Sequence, residues 1–297
     1  MAAETPMFSE FLQFLLTGIT LGTTYALVGL GFSIIFNASN VINFAQGEFI
    51  MLGGMTTVFL VGAGLPLPLA IVLAVIATGL VGMALEKFAV EPAGNAEVVT
   101  LIIITIGASL FLRGLAQVLW GKGFFALQAF SGEEPINILG AIIVPQSLWV
   151  IGVSVVIMAV LWYFFSRTML GRAILATSHN KVAAQLVGIN TRFVLLMSFG
   201  LSAMLGAIAG IIIAPISLTS YDVGILLGLK GFAAAVLGGL GSGVGAIIGG
   251  LILGIAETMT AGYLSSDYKD AVPFIIMLLI LFFLPRGLLG GRGTERV

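Results

Sequence analysis

Cysteine is absent from the 297 residues, charged residues make up only 8%, and histidine occurs once. The first absence excludes disulfide frameworks, thiolate zinc sites and iron–sulfur centres, and leaves the redox compartment unmarked. His179 and the scattered carboxylates form neither a metal-ligand cluster nor a nucleophile paired with a base, so no enzyme and no metal site is expected. No G-x-x-x-x-G-K-[ST] occurs either. "GGLGSGVG" (238–245) is glycine-rich but has no lysine, so the chain is not expected to bind ATP or another cofactor itself. A net charge of −1 gives no footprint for nucleic acid, which is not expected as a partner. Long polar intervals are also missing, and with them any soluble unit that could build a core of its own.

What the chain has is apolar length: 59% of it is hydrophobic. Apolar runs fall near 11–36, 44–64, 66–86, 98–120, 140–165, 193–214, 222–240, 243–263 and 270–285, most of them near or beyond the roughly 18 residues of a bilayer span. The expected fold is all-α, a polytopic transmembrane helical bundle of about eight or nine spans, read as one membrane domain over residues 1–297. The surrounding partner is membrane lipid. The run from Phe11 continues without a small-residue cleavage site, and no basic residue precedes it, so the first span is expected to be retained. Residues 224–257 are too long for one helix, and "GGLGSG" (238–243) predicts a turn between two.

Basic residues in short loops mark the cytoplasmic side. Residues 166–192 carry Arg167, Arg172, Lys181 and Arg192 with no acid, and the tail after Pro285 carries Arg286, Arg292 and Arg296 against Glu295. Placing both in the cytoplasm requires an even number of crossings between them, which supports splitting 224–257. The amino terminus, with Glu4 and Glu10 and no basic residue, then lies outside.

Glycine is abundant, with 40 residues. In lipid, small residues let helices approach closely. "GITLG" (18–22), "GAIAG" (206–210) and Gly241, Gly245, Gly249 have the required spacing, for packing within the chain or for a seam against a second subunit.

Ionisable residues at membrane depth are costly and mark candidate sites. Glu48, Arg113, Lys230 and Glu257 qualify, although Arg113, Glu86 and Lys87 lie near span ends, where snorkelling explains them. Glu48 belongs to "NASNVINFAQGEF" (37–49), where Asn37, Asn40, Asn43, Gln46 and Glu48 predict a hydrogen-bonded break between the first two spans. Such a break is tolerated only inside protein or along a cavity. It serves either a translocation pathway or gate, or a purely structural network. Lys230 and Glu257 are expected to pair, again as pathway residues or as a structural bridge.

The most polar stretch is "GRAILATSHNKVAAQLVGIN" (171–190). Val182, Ala183, Leu186 and Val187 recur at the spacing of a short amphipathic helix, with Ser178 or Asn180 as its cap and Gly188 at its end. A short basic helix with an apolar stripe lies on lipid or docks into another protein, and its small Ala183 and Ala184 favour a protein groove.

"AAQLVG" (183–188) resembles the A-A-x-x-x-G core of the loop by which ABC importer permeases engage their ATPases. Together with "NFAQGEFIMLGG" (43–54), "TIGASLFLRGLAQVLWG" (105–121), the glycine-rich block 228–257 and "LLILFFLPRGLLG" (278–290), the chain resembles the branched-chain amino acid ABC permease family over most of its length. Val182 stands where the general loop pattern has glutamate, so no charged anchor is implied there. The resemblance implies a permease subunit of a bacterial inner-membrane importer for branched-chain or other hydrophobic amino acids. Its implied partners are a second related permease, two cytoplasmic ATPase subunits that bind the ATP, and a periplasmic substrate-binding protein. It implies ATPase coupling through Gly171, Arg172, Ala173, His179, Asn180, Ala183, Ala184, Leu186 and Gly188. Two other readings stay open from the sequence: a self-contained secondary transporter or channel using the break and the glycine turn, and an ABC permease for urea or short amides.

Overall fold

The computed structural model of the protein describes residues 6–94 and 96–290. Glu4, Arg292, Glu295 and Arg296, which entered the charge argument, lie outside them. Without water to satisfy backbone groups, a chain this apolar closes its hydrogen bonds within helices. The nine apolar runs are helices: α1 Pro6–Ser39, α2 Gln46–Gly62, α3 Leu67–Leu85, α4 Val98–Trp120, α5 Pro145–Arg167, then, after two short helices, α8 Thr191–Ser217, α9 Val223–Gly238, α10 Gly243–Tyr263 and α11 Val272–Phe283. The intervening pair is α6 Met169–His179 and α7 Lys181–Leu186.

Six described helices are long and apolar enough to cross a membrane, and α3 does so by continuing through a π turn and a 3₁₀ turn to Ala93. The 17-residue α2 and 16-residue α9 each rise only about 25 Å, and the 12-residue α11 less, against about 30 Å of hydrocarbon. The expected turn in 224–257 is present at Gly239–Ser242, with Gly239 and Gly241 at positive φ.

Between α4 and α5 stands a hairpin of β1 Ile136–Ile138 and β2 Ala141–Ile143, paired antiparallel with Ile138 opposite Ala141. Leu139 (φ 50°) and Gly140 (φ 85°) supply the two left-handed residues its turn needs. The side-chain amide of Gln13 in α1 donates to the Ile142 carbonyl at 2.6 Å and accepts from the Ile142 N–H at 2.6 Å. The start of α1 therefore belongs to the hairpin end of the molecule, and α6 and α7 to the opposite, basic end.

Packing reveals an internal order. Helix α1 runs antiparallel to α10, with Gly29 against Ala246, Gly22 against Gly250 and Leu251, and Gly18 against Ile255 and Thr258. Helix α8 runs antiparallel to α3 in the same manner, Gly79 meeting Met204 and Gly82 meeting Phe199 and Ala203. Helix α2 lies along α8, and α9 along α1. Helices α1 and α8 are themselves antiparallel, since Gly31 adjoins Ser202 while Ile35 and Ser39 share a cavity with Phe199, Leu195 and Thr191. The units α1–α3 and α8–α10 are thus two inverted copies of one arrangement: a long helix, a break, a short helix and a returning helix. Both breaks open on a non-glycine residue at positive φ, Asn40 (57°) and Leu218 (60°).

The glycine stripes read from the sequence are spent within the chain. Gly18 and Gly22 face α10, Gly206 and Gly210 face Phe49 and Ile50 of α2, and Gly245 and Gly249 face Gly238 and Ala234 of α9.

Candidate functional site

The break after α1 is held residue by residue. Asn43 Oδ1 accepts the Ala45 N–H at 3.0 Å, and Thr105 Oγ1 of α4 accepts the Phe44 N–H at 3.2 Å. Gln46 is fully buried: its Nε2 donates to the Ser202 carbonyl at 3.1 Å, and Ser202 Oγ lies 2.7 Å from its Oε1 and 2.8 Å from the Gly31 carbonyl. One side chain thereby ties α1, α2 and α8. Ser202 lies near the middle of the 27-residue α8, so α2 begins near mid-depth. Helix α9 begins at the same level, because Gly224 and Gly228 pack on Gly47. Neither start has a side-chain cap: Ala45 and Asp222 make no capping hydrogen bond. Two helix amino ends, each carrying partial positive charge, therefore face each other inside the bundle.

Glu48, in the first turn of α2, is 1% exposed. Its Oε1 accepts from Ser109 Oγ at 2.7 Å and from Arg113 Nη2 at 2.6 Å, and the same Nη2 lies 3.2 Å from Ser109 Oγ. Glu48 Oε2 and Arg113 Nε, both buried, have no hydrogen-bond partner among the described residues. A cavity of about 250 Å³ opens here, lined by Glu48, Ser109 and Arg113, by the bare backbones of Gly47, Gly224 and Gly228, and by apolar side chains. A larger one, about 650 Å³, lies nearer the basic end, with Ser39, Asn43, Glu86, Lys181, Gln185 and Arg192 in its wall. Phe44 lines the first and Asn43 the second, so the hydrogen bond from Phe44 to Thr105 stands between them.

The polar cluster expected over 37–48 is thus divided. Asn37 leaves it, donating to the Gly241 carbonyl at 2.8 Å, and Asn40 is exposed, so its part is backbone conformation. Arg113 does not snorkel. It reaches inward to Glu48 because Ser109 and Arg113 are one helical turn apart on the same face of α4. That i, i+4 spacing was the signal available in the sequence.

Lys230 and Glu257 do pair, at 2.8 Å, away from this cavity. Lys230 Nζ also lies 2.6 Å from Asp270 Oδ1, and Tyr25 donates to Glu257 Oε2 at 2.9 Å. Neither Tyr25 nor Asp270 was marked by the sequence, since their distance along the chain hides the contact.

At the basic end, two helices stand where one short helix was expected. Gly171, in the first turn of α6, sits hard against the backbone of Phe164 and Phe165, where no side chain fits, and Thr168 Oγ1 caps α6 by accepting the Gly171 N–H at 3.0 Å. His179 Nδ1 lies 2.7 Å from the Leu175 carbonyl, and Arg172 reaches the Ser166 carbonyl at 3.3 Å. Asn180, rather than Ser178, caps α7, accepting the Ala183 N–H at 3.0 Å. Gly188 (φ 88°) ends the segment. Ala184 is buried, while Ala183 turns outward and Val182, Leu186 and Val187 stand 65%, 83% and 77% exposed. The apolar stripe is therefore bare, on a helix clamped from behind.

Comparison with known proteins identifies the family. The family model described as branched-chain amino acid transport system / permease component matches residues 14–281. The high-affinity branched-chain amino acid transport system permease protein LivH of Escherichia coli K12 is 34% identical, over 98% of this chain and 99% of its own length. BraD of Pseudomonas aeruginosa, described in the same terms, is 32% identical over 98% of this chain and 100% of its own. The ribose import permease protein RbsC of Haemophilus influenzae is 26% identical over 71% of this chain. The chain belongs to the permease-component family of branched-chain amino acid transport systems.

Proposed function

We propose that the chain is the permease subunit of a bacterial inner-membrane importer that moves branched-chain amino acids, driven by ATP bound and hydrolysed on separate cytoplasmic subunits. The cargo named for LivH and BraD supports the substrate. The observation that carries the coupling is the bare stripe Val182, Leu186 and Val187 on a helix whose opposite side is fixed by buried Ala184. An exposed apolar face on a short, capped, basic segment suits a groove in a partner protein. Gly171, Arg172, Ala173, His179 and Asn180 hold that helix at its angle, and Gly188 ends it. Closure of two ATPase subunits on ATP then shifts the balance between two openings of the bundle through a rigid docked element.

In this orientation the basic end is cytoplasmic and the hairpin end, where α1 starts, is periplasmic and meets the substrate-binding protein. A second, related permease covers the exposed apolar faces of α4 and α9 beside the smaller cavity. Asn43, Gln46 and Glu48 belong to the pathway, with Asn40 setting the backbone turn, whereas Lys230 and Glu257 form a structural bridge.

The test is a single thiol, Leu186→Cys, in a chain that has no other. In inside-out vesicles it should react with a membrane-impermeant maleimide and become protected when the partner ATPase subunits bind. Equal labelling with and without those subunits removes the docking role.

A further inference from the structure

We propose that the cavity between the opposed amino ends of α2 and α9 is a transit-binding position for one free α-amino acid zwitterion with a branched aliphatic side chain. In it, Glu48 takes the ammonium group and Arg113 the carboxylate. The proposal rests on the cargo reading above and states where, inside this chain, that cargo is held.

Size limits the occupant first. At about 250 Å³ the cavity falls below the roughly 300–1,000 Å³ of pockets for drug-sized ligands, and it opens outward between α4 and α9, where Ile106, Leu110 and Ile225 stand exposed, so it suits one small solute once that side is covered. The walls select the side chain. Phe32, Phe44, Ile106, Leu110, Ile225 and Phe232 surround the space and offer no hydrogen bond, so a charged or amide side chain would be buried there without a partner.

The polar groups select the head. Glu48 Oε1 is satisfied by Ser109 and Arg113, whereas Oε2 is buried without a donor and turns from that position to meet a ligand in the cavity, a turn favoured because an unmet buried carboxylate oxygen costs free energy that the ligand's donor recovers. An ammonium group brings three donors. Arg113 spends its Nη2 on Glu48 and Ser109 and has its Nε buried, but 23% of its side chain stays exposed, and there the charged guanidinium can meet a carboxylate. The uncapped starts of α2 and α9 add two positive helix ends on the same side. Gly47, Gly224 and Gly228 pack backbone to backbone there, which brings both helix starts to the cavity wall.

Each half of the zwitterion depends on the other. A branched amine leaves Arg113 and both helix ends without an anion. A branched carboxylic acid brings negative charge beside Glu48 and leaves Oε2 unmet. A site built around two opposite charges rejects ligands that carry only one of them.

The test uses Ile225→Cys, a unique thiol in the cavity wall, in the chain assembled with its partner subunits. Modification of this chain by a small maleimide is timed with L-leucine, with 3-methylbutylamine or with 4-methylpentanoate present. Leucine should slow modification, and each fragment should need a concentration about tenfold to a hundredfold higher for the same effect, the loss expected for one charge-assisted hydrogen-bonded group. Protection by leucine should vanish with Glu48→Gln. Should that variant fail to assemble, Arg113→Gln provides the comparison, and Leu110→Cys is the second reporter. Equal protection by leucine and either fragment, or undiminished protection in the substituted chain, overturns the site. ATP-dependent leucine uptake by the unsubstituted complex separates the two levels. Uptake without protection overturns the site and leaves the function standing, whereas absence of leucine uptake overturns both.

Discussion

Gly47 and Gly224 meet backbone to backbone at the centre of the molecule: a β-carbon on either would collide with the carbonyl oxygen of the other. This contact brings the starts of the two short helices to one level. Replacing either by alanine forces the helices apart, and overpacking of this kind costs about 1–3 kcal/mol. Gly47→Ala and Gly224→Ala should each lower the thermal midpoint of the purified protein and reduce leucine uptake, and the double variant should cost less than the sum. Strict additivity would show that the two residues do not share one contact.

Lys230 is the second buried point of risk. It is 3% exposed and answers both Glu257 and Asp270, with Tyr25 completing Glu257. Removing one member of a buried pair strands the others, at about 3–5 kcal/mol. Lys230→Met should therefore cut the amount of folded protein sharply, while the surviving fraction keeps the wild-type KM for leucine. A raised KM at normal stability would instead put this bridge on the pathway.

For α7 the two faces predict different failures. Leu186→Glu alters only an exposed side chain, so the protein should reach the membrane in normal amount yet lose uptake and co-purification of the ATPase subunits. Ala184→Glu drives a carboxylate into the buried side of the helix and should lower stability as well. Normal uptake by the Leu186 variant would remove the coupling role.

The sequence displays its helices because apolar length is a local property: each apolar run became a helix, and the glycine turn separates α9 from α10 as its residues demand. Helix α6 is hidden in the sequence because its 11 residues are too few for a span and lie in a stretch marked chiefly by its basic residues. The inverted repeat is legible only in packing, because lipid-facing and glycine-packed positions accept many apolar residues and leave little shared spelling between α1–α3 and α8–α10. Glu48 is visible in the sequence as a charge in a break, but its partner Arg113 lies 65 residues away, beside a span end that by itself accounts for an arginine. Long-range ion pairs are written in geometry, and only the spacing of Ser109 and Arg113 hinted at a common target.

The repeat carries a prediction of its own. Asn40 and Leu218 occupy equivalent places, each one residue beyond a long helix and each at positive φ. Asparagine tolerates that region, whereas leucine does not, and Leu218 at φ 60° and ψ 169° sits in a conformation essentially confined to glycine, at about 1–3 kcal/mol of strain. Its side chain is 42% exposed, so removing it forfeits little burial. Leu218→Gly should raise the thermal midpoint, and Asn40→Leu should lower it by recreating the strain in the other half. If uptake falls in the stabilised Leu218 variant while its ATPase coupling persists, the strained corner contributes to movement of α9. A lower midpoint for Leu218→Gly would mean that the side chain, and not the backbone, holds that corner.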